Sequence, residues 1–207
     1  EGLIMLGKGK FFNLKAIKKL HLVFIIIFFY FFSINISYAN LQEKLINKLI
    51  ETKNLSFDFI QKIADKEEIG NCFIKYPLLM KCDYEGDKKK SIISNGKTVA
   101  IIKKKYKKIY YYPIKTTPLF IILKKKKILE IIKKTKPSKI SLQNIEYEFT
   151  EKKLKKIKII FDKNSFDLKG WETTDAYSNI VIFSILNLKT NIPIEDNFFK
   201  IPNEKNL

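Results

Sequence analysis

Between Leu55 and Leu123 the apolar and polar residues alternate in short runs. Phe57 and Phe59 stand two apart, with Leu55 and Ile63 on the same face. A period of two predicts a strand with one buried face. After the polar turn Asp65-Lys66-Glu67, EIGNCFIKY and LMKCDYE predict a second hairpin with Pro77 in its bend, where a missing N–H costs no ladder bond. SIISNGKTVAII predicts a third hairpin about Asn95-Gly96, as a type I′ turn whose central residues need positive φ. KIYYYP is a further strand. Thr117-Pro118 then predicts a helix start, with Thr as cap and Pro in the first position. Residues 119–123 are apolar on every side, so this short helix belongs in the interior.

The flanks extend the pattern. Leu41, Leu45, Ile46 and Leu49 recur at helical spacing, which predicts an amphipathic helix over 40–52. Residues 124–139 are Lys-rich around an Ile-Leu-Glu-Ile-Ile island, and their pattern assigns no element. Strands resume at Ser141. The last long one, about 180–188, is apolar on both faces and predicts a central strand covered on both sides. Residues 197–202 suggest a final edge strand. Together these elements predict an α+β fold in which helices lie on one face of a curved antiparallel sheet.

Residues 1–39 stand apart. Five lysines precede an unbroken apolar run from Leu22 to Phe32, and Ser37-Tyr38-Ala39 offers small residues before a cut. This is the pattern of a cleavable secretory signal, with an uncleaved anchor as the alternative. The expected division is therefore 1–39 as signal and 40–207 as one domain. No cysteine lies near the cut, so no lipidation motif is visible there.

The net charge is +19. Residues 1–39 hold five Lys and one Glu, so 40–207 carries +15. All 40 basic residues are Lys. The accompanying wealth of Ile and Asn resembles the output of an AT-rich genome, which accounts for part of this basicity. A strongly positive field still favours anionic surfaces, membrane headgroups included. The one histidine, His21, lies in the expected signal, so residues 40–207 have no Ser-His-Asp or Cys-His site. Two cysteines make no structural zinc site, and the glycines form no phosphate loop. The expectation is a protein without metal, cofactor or enzymatic activity.

With three residues around Pro77 in the bend, Cys72 and Cys82 fall opposite each other. In an oxidising compartment this allows a disulfide; two reduced, packed thiols are the alternative.

The ordered pieces Phe57-x-Phe59-x-Gln61, Gly70 to Pro77, Ser94-Asn95-Gly96-Lys97-Thr98, Thr117-Pro118-Leu119 and Trp171-x-x-x-Asp175 lead to the closing run from Asn187 to Phe198. In this order the chain resembles the LolA family of periplasmic outer-membrane lipoprotein carriers, from about residue 41 to 202. The resemblance implies an incomplete antiparallel β-barrel, a half-barrel with helices packed on its concave face. It implies a periplasmic carrier that binds the acyl chains of lipoproteins and shuttles them from the inner towards the outer membrane. The implied partners are acylated lipoproteins, an inner-membrane lipoprotein-releasing ABC transporter and an outer-membrane acceptor lipoprotein. Neither nucleic acid nor a second copy of the chain is implied.

Family members often place an arginine before the proline of the second hairpin, where it ties a lid closed. Here Tyr76 stands there, preceded by Lys75. Both are the expected gating residues, and neither is a forked cation. Phe57, Phe59, Phe73 and Met80 are expected to bind lipid opposite Leu119 and Phe120. The alternative function is a basic periplasmic binding or sensor module on the same half-barrel, for an anionic polymer or a mislocalised lipoprotein. It is motivated by the charge and by Tyr106 and Tyr110 to Tyr112.

Overall fold

A computed structural model describes residues 3–6, 10–86, 89–150, 156–175 and 177–207. The chain divides into two compact units, Glu1–Lys44 and Leu45–Leu207. In the first, β1 (Leu3–Leu6) and β2 (Lys10–Asn13) pair antiparallel, and β2 leads into α1 (Leu14–Glu51). That helix runs unbroken through Ala39 and Asn40. Leu22, Val23, Phe24 and Ile25 are exposed on it. Among the described residues no helix is long and apolar enough to cross a membrane.

The second unit begins with the last turns of α1, whose Leu45 and Leu49 are buried at the predicted helical spacing. Five antiparallel hairpin partners follow β3 (Asn54–Ile63): β4 (Lys66–Lys75), β5 (Leu79–Tyr84), β6 (Lys90–Asn95), β7 (Thr98–Lys103) and β8 (Lys108–Pro113). Two short helices come next, α2 (Leu119–Leu123) and α3 (Lys125–Lys134). The chain then adds β9 (Lys139–Ile140), β10 (Asn144–Thr150), β11 (Lys156–Asp162), β12 (Leu168–Thr174) and β13 (Ile180–Thr190). Strand β13 closes back onto β3, giving one open sheet of 11 strands in the order β8-β7-β6-β5-β4-β3-β13-β12-β11-β10-β9. This is the curved antiparallel sheet that the alternation predicted, in the half-barrel form that the resemblance implied.

Period two decides the two faces. Leu55, Phe57 and Phe59 are buried on β3 while Asp58 is exposed. The registers Phe57↔Cys72↔Cys82 and Phe59↔Gly70↔Tyr84 carry that buried, concave face across β4 and β5. Across β13 and β12 it continues through Gln61↔Phe183↔Trp171. Gly70 is there because the Phe59 ring needs its space: a Cβ at 70 would lie 2.9 Å from that ring and 2.1 Å from the Asp83 carbonyl oxygen. The freed ring stacks on Phe183 at 4.7 Å, and Phe183 stacks on Trp171 at 4.1 Å.

Several local expectations differ from the structure. The hairpin at 95–98 has only Gly96 at positive φ (92°), so its central pair is Gly96-Lys97 and not Asn95-Gly96. The Asn95 side chain instead accepts from the N–H groups of Lys97 and Thr98. Thr117 does not cap α2, because its hydroxyl donates back to the Ile114 carbonyl. Strand β13 is central, yet Ile180, Ile182 and Leu186 are exposed on its convex side. Among the described residues nothing covers these side chains, so the continuous apolar run did not mean two buried faces. Residues 197–202 form no strand. They belong to a strap over the convex face of β4–β8, with a 3-10 turn at Asp196–Phe199.

Candidate functional site: an apolar cavity under helix α2

Helix α2 has three consecutive buried residues, Ile121, Ile122 and Leu123. A five-residue helix satisfies few of its own backbone groups. Its last carbonyl, that of Leu123, accepts from the Leu78 N–H at 2.9 Å. Leu78 follows Pro77 in the β4–β5 bend, and its own carbonyl accepts from the Ser94 hydroxyl at 2.6 Å. The bend is thus tied to the helix end by a backbone hydrogen bond.

Between α2 and the concave face lies a cavity of about 150 Å³. Leu119 and Ile122 wall it from the helix; Met80, Trp171, Val181 and Phe183 wall it from the sheet. Polar residues reach it at Thr173 and through one hydrogen-bonded group. Gln61 and Tyr84 line the cavity, the Tyr84 hydroxyl donates to Gln61 Oε1 at 2.9 Å, and Gln61 Nε2 donates to Glu68 at 3.1 Å. Lys90 pairs with Glu68 and sits 3.7 Å from the centre of the Tyr84 ring. Burial first, and the Glu68 charge second, push the Tyr84 phenol well above its ordinary value. Tyr84 is therefore a neutral donor.

The expected lipid-binding residues separate into three sets. Met80 and Leu119 line the cavity. Phe57 and Phe59 lie on the concave face but are packed, Phe59 between Phe183 and Tyr84. Phe120 is half-buried on α2 with Lys124 Nζ 5.0 Å from its ring centre. Phe73 must be corrected. It pairs with Ser56 and Lys81, one position out of step with Cys72, and so points to the convex face. There it meets Phe198 edge-on at 4.9 Å.

The expected gating pair is also divided. Lys75 lies on the convex side, donating to the Ile194 carbonyl at 2.8 Å and pairing with Asp196 at 2.6 Å. It anchors the strap and does not touch α2. Tyr76 is half-buried, and burial raises its phenol above the ordinary value. Lys125 Nζ lies 5.6 Å from the Tyr76 ring centre and donates to the carbonyls of Ile50 and Thr52. The same burial holds the Lys125 ammonium below its usual range. The sulfurs of Cys72 and Cys82 are joined across β4 and β5, with Cα atoms 4.0 Å apart.

Sequence reasoning missed Leu78 and Leu123, because a backbone tie leaves no side-chain signal. Trp171, Val181 and Phe183 were legible in principle from period two along β12 and β13, once those strands were paired through Trp171↔Phe183. Among the described residues no cluster of three or more His, Cys, Asp or Glu could hold a metal.

An open half-barrel keeping an apolar cavity beneath a short helix is a binding fold of the carrier type. The model of the family "Outer membrane lipoprotein carrier protein LolA" matches residues 51–202, and the chain belongs to that family. No curated protein matches the chain. Solved structures with similar folds are distant in sequence. A LolA superfamily protein from Nitrosomonas europaea is 8% identical, over 79% of this chain and 97% of that one, with a TM-score of 0.45. A conserved protein from Thermus thermophilus is 6% identical, over 80% and 94%, at 0.48. The Pseudomonas aeruginosa MucA/MucB complex offers a chain 7% identical, over 81% of this chain and 62% of that one, at 0.43. Likenesses this distant say nothing about what the present chain binds.

Proposed function

We propose that this protein is a periplasmic carrier that takes the acyl chains of lipoproteins under helix α2 and moves them from the inner towards the outer membrane. On this reading a lipoprotein-releasing transporter loads it, and an acceptor lipoprotein or the outer membrane unloads it. The reading also takes residues 1–39 as a removed export signal. The single supporting observation is the cavity: an apolar space of about 150 Å³ whose outer wall is one short, wholly apolar helix.

Size and energy agree on how it would work. With each water-sized group taking about 30 Å³, a cavity of about 150 Å³ holds roughly five such groups. A long acyl chain therefore enters only if α2 moves out. Burial of acyl chains contributes about 0.8 kcal/mol per CH₂, so three chains with on the order of 40 such groups reach a nominal ~30 kcal/mol. That exceeds the practical affinity ceiling of roughly 18–21 kcal/mol, and a carrier bound so tightly could not deliver. A helix that fills the space when lipid is absent lowers the net affinity, because lipid must displace the apolar contacts of Leu119 and Ile122.

The test is a diacylated lipopeptide titrated into the exported protein and into Val181→Phe. The larger ring occupies the cavity without touching the outer surface. The expected result is lipopeptide binding to the wild type and affinity at least about tenfold lower in the variant, a loss of ~1.4 kcal/mol. Equal binding by a folded Val181→Phe protein would place the acyl chains elsewhere.

A further inference from the structure

The edge of the sheet at β8 carries a surface that the cavity does not use. Among the described residues strand β8 has β7 on one side and no strand on the other. Tyr110, Tyr111 and Tyr112 are 44%, 55% and 43% exposed, and Tyr106 at the hairpin tip is 56% exposed. Register puts Tyr110 and Tyr112 on the concave row, opposite Ile101 and Val99, and Tyr111 on the convex row opposite Ala100. The strand thus presents rings on both of its faces along one edge.

Lysines flank these rings at both ends. Lys103, Lys104, Lys105, Lys107 and Lys108 surround the tip, with Lys103 Nζ 5.2 Å from the Tyr110 ring centre. Lys97 and Lys115 lie at the other end, where the Ile114 N–H donates to the Lys97 carbonyl. Among the described residues none of these seven lysines has an ion-pair partner. One acid touches the strand: Glu204 accepts from the Ile109 backbone N–H, a single negative charge against the seven lysines.

We infer that this edge docks the protein on an anionic phospholipid surface. A tyrosine ring has an apolar body and a polar tip, which suits the boundary between acyl chains and headgroups. Lysines beside it add attraction to negative headgroups, each worth about a fivefold gain in partitioning when brought to the surface. A single-stranded nucleic acid is the competing occupant. Membership in a lipoprotein carrier family and the lack of any arginine for bidentate base contacts favour lipid. The position adds a consequence: from Tyr112 the chain passes through one 3-10 turn, Ile114–Thr116, straight into α2. The docking edge and the helix covering the cavity are one continuous segment. The inference does not depend on what the cavity holds.

The test is vesicle flotation of the exported protein with phosphatidylcholine alone and with added phosphatidylglycerol, at low and high salt. Four forms are compared that share whatever N-terminus the exported protein carries. One is the wild type. The second replaces Lys103, Lys104, Lys105, Lys107 and Lys108 with Gln. The third makes the same charge change elsewhere, with Gln at Lys126, Lys133, Lys134, Lys136 and Lys139. The expected result is salt-sensitive binding of the wild type to anionic vesicles only. The tip variant should lose on the order of a hundredfold or more, and the control variant should keep most of the binding. Replacing Tyr110, Tyr111 and Tyr112 with Ser, in the fourth form, should weaken what remains at high salt. Equal losses in the two lysine variants would mean net charge alone is responsible, and would overturn the docking edge. So would binding to neutral vesicles unaffected by either variant, or an oligo-dT competitor that binds the same edge more tightly than the vesicles do.

Discussion

The convex face of β4–β8 and the concave face beneath α2 are both covered, but by different means. On the convex side the chain after β13 is fastened at intervals. Ile192 exchanges two hydrogen bonds with the Asn54 side chain, at 2.9 Å each. Lys75 holds Ile194 and Asp196, and Glu204 holds the β8 backbone at Ile109. Between these ties Phe199 is buried, and Ile201 and Leu207 pack on Ile93, Ala100, Ile102 and Ile109. On the concave side α2 offers apolar contact, one backbone hydrogen bond from Leu78, and an unfilled space of about 150 Å³ beneath it. Hydrophobic contact is non-directional and is readily exchanged for other apolar surface, whereas polar ties fix a register. The strap is therefore a permanent part of the fold, and on the proposed function α2 is the cover that lipid would replace.

Removing the strap's anchor should do the most damage. Phe199→Ala is expected to cost about 3–5 kcal/mol of stability, read by denaturant unfolding, while the folded fraction keeps its lipopeptide affinity. A loss of affinity in folded protein would mean the two covers are coupled. The next effect concerns the concave side. Cys72 and Cys82 enclose a short loop directly under the cavity, which Cys82 lines. Exported protein should resist alkylation until reduced, and replacing both with Ala should cost roughly 2–3 kcal/mol. Labelling of both thiols in freshly exported protein would remove the bond from the account.

A smaller effect is expected from pH. Burial raises the Tyr84 phenol above its ordinary 10.0, so the folded state keeps a proton that the unfolded chain loses. The stability it contributes is complete below pH 10.0 and falls as pH rises from there towards the folded value. Tyr84→Phe should flatten this part of the alkaline decline, and an unchanged slope would show that Tyr84 is not its source. The smallest effect is expected at Tyr76. The closing hydrogen bond comes from the neighbouring Leu78 backbone, so Tyr76→Phe should change stability by no more than about 0.5 kcal/mol and leave lipopeptide affinity alone. A tenfold change would return the gating role to its hydroxyl.

The sheet was legible because period two survives wherever one face meets the interior, as at Leu55, Phe57 and Phe59. It misled at β13, whose apolar convex side stays exposed, and at Phe73, where a one-residue difference in register moved an aromatic ring to the other face. The strap was not legible as a cover. Residues 191–207 have no period, and their position depends on the Asn54 and Lys75 side chains far away in sequence. The shared concave face of Phe57, Phe59 and Met80 was legible, because alternation constrains faces. The cavity walls on β12 and β13 depend on long-range pairing, which alternation alone does not give.

The central claim is that lipid displaces α2 and leaves the strap in place. Amide hydrogen exchange tests this at two residues in one experiment. The Leu78 N–H is held by the Leu123 carbonyl, and the Ile192 N–H by the Asn54 side chain. On saturating the protein with a diacylated lipopeptide, the account predicts faster exchange at Leu78 and unchanged protection at Ile192. Protection retained at Leu78 in the lipid-bound protein would contradict it.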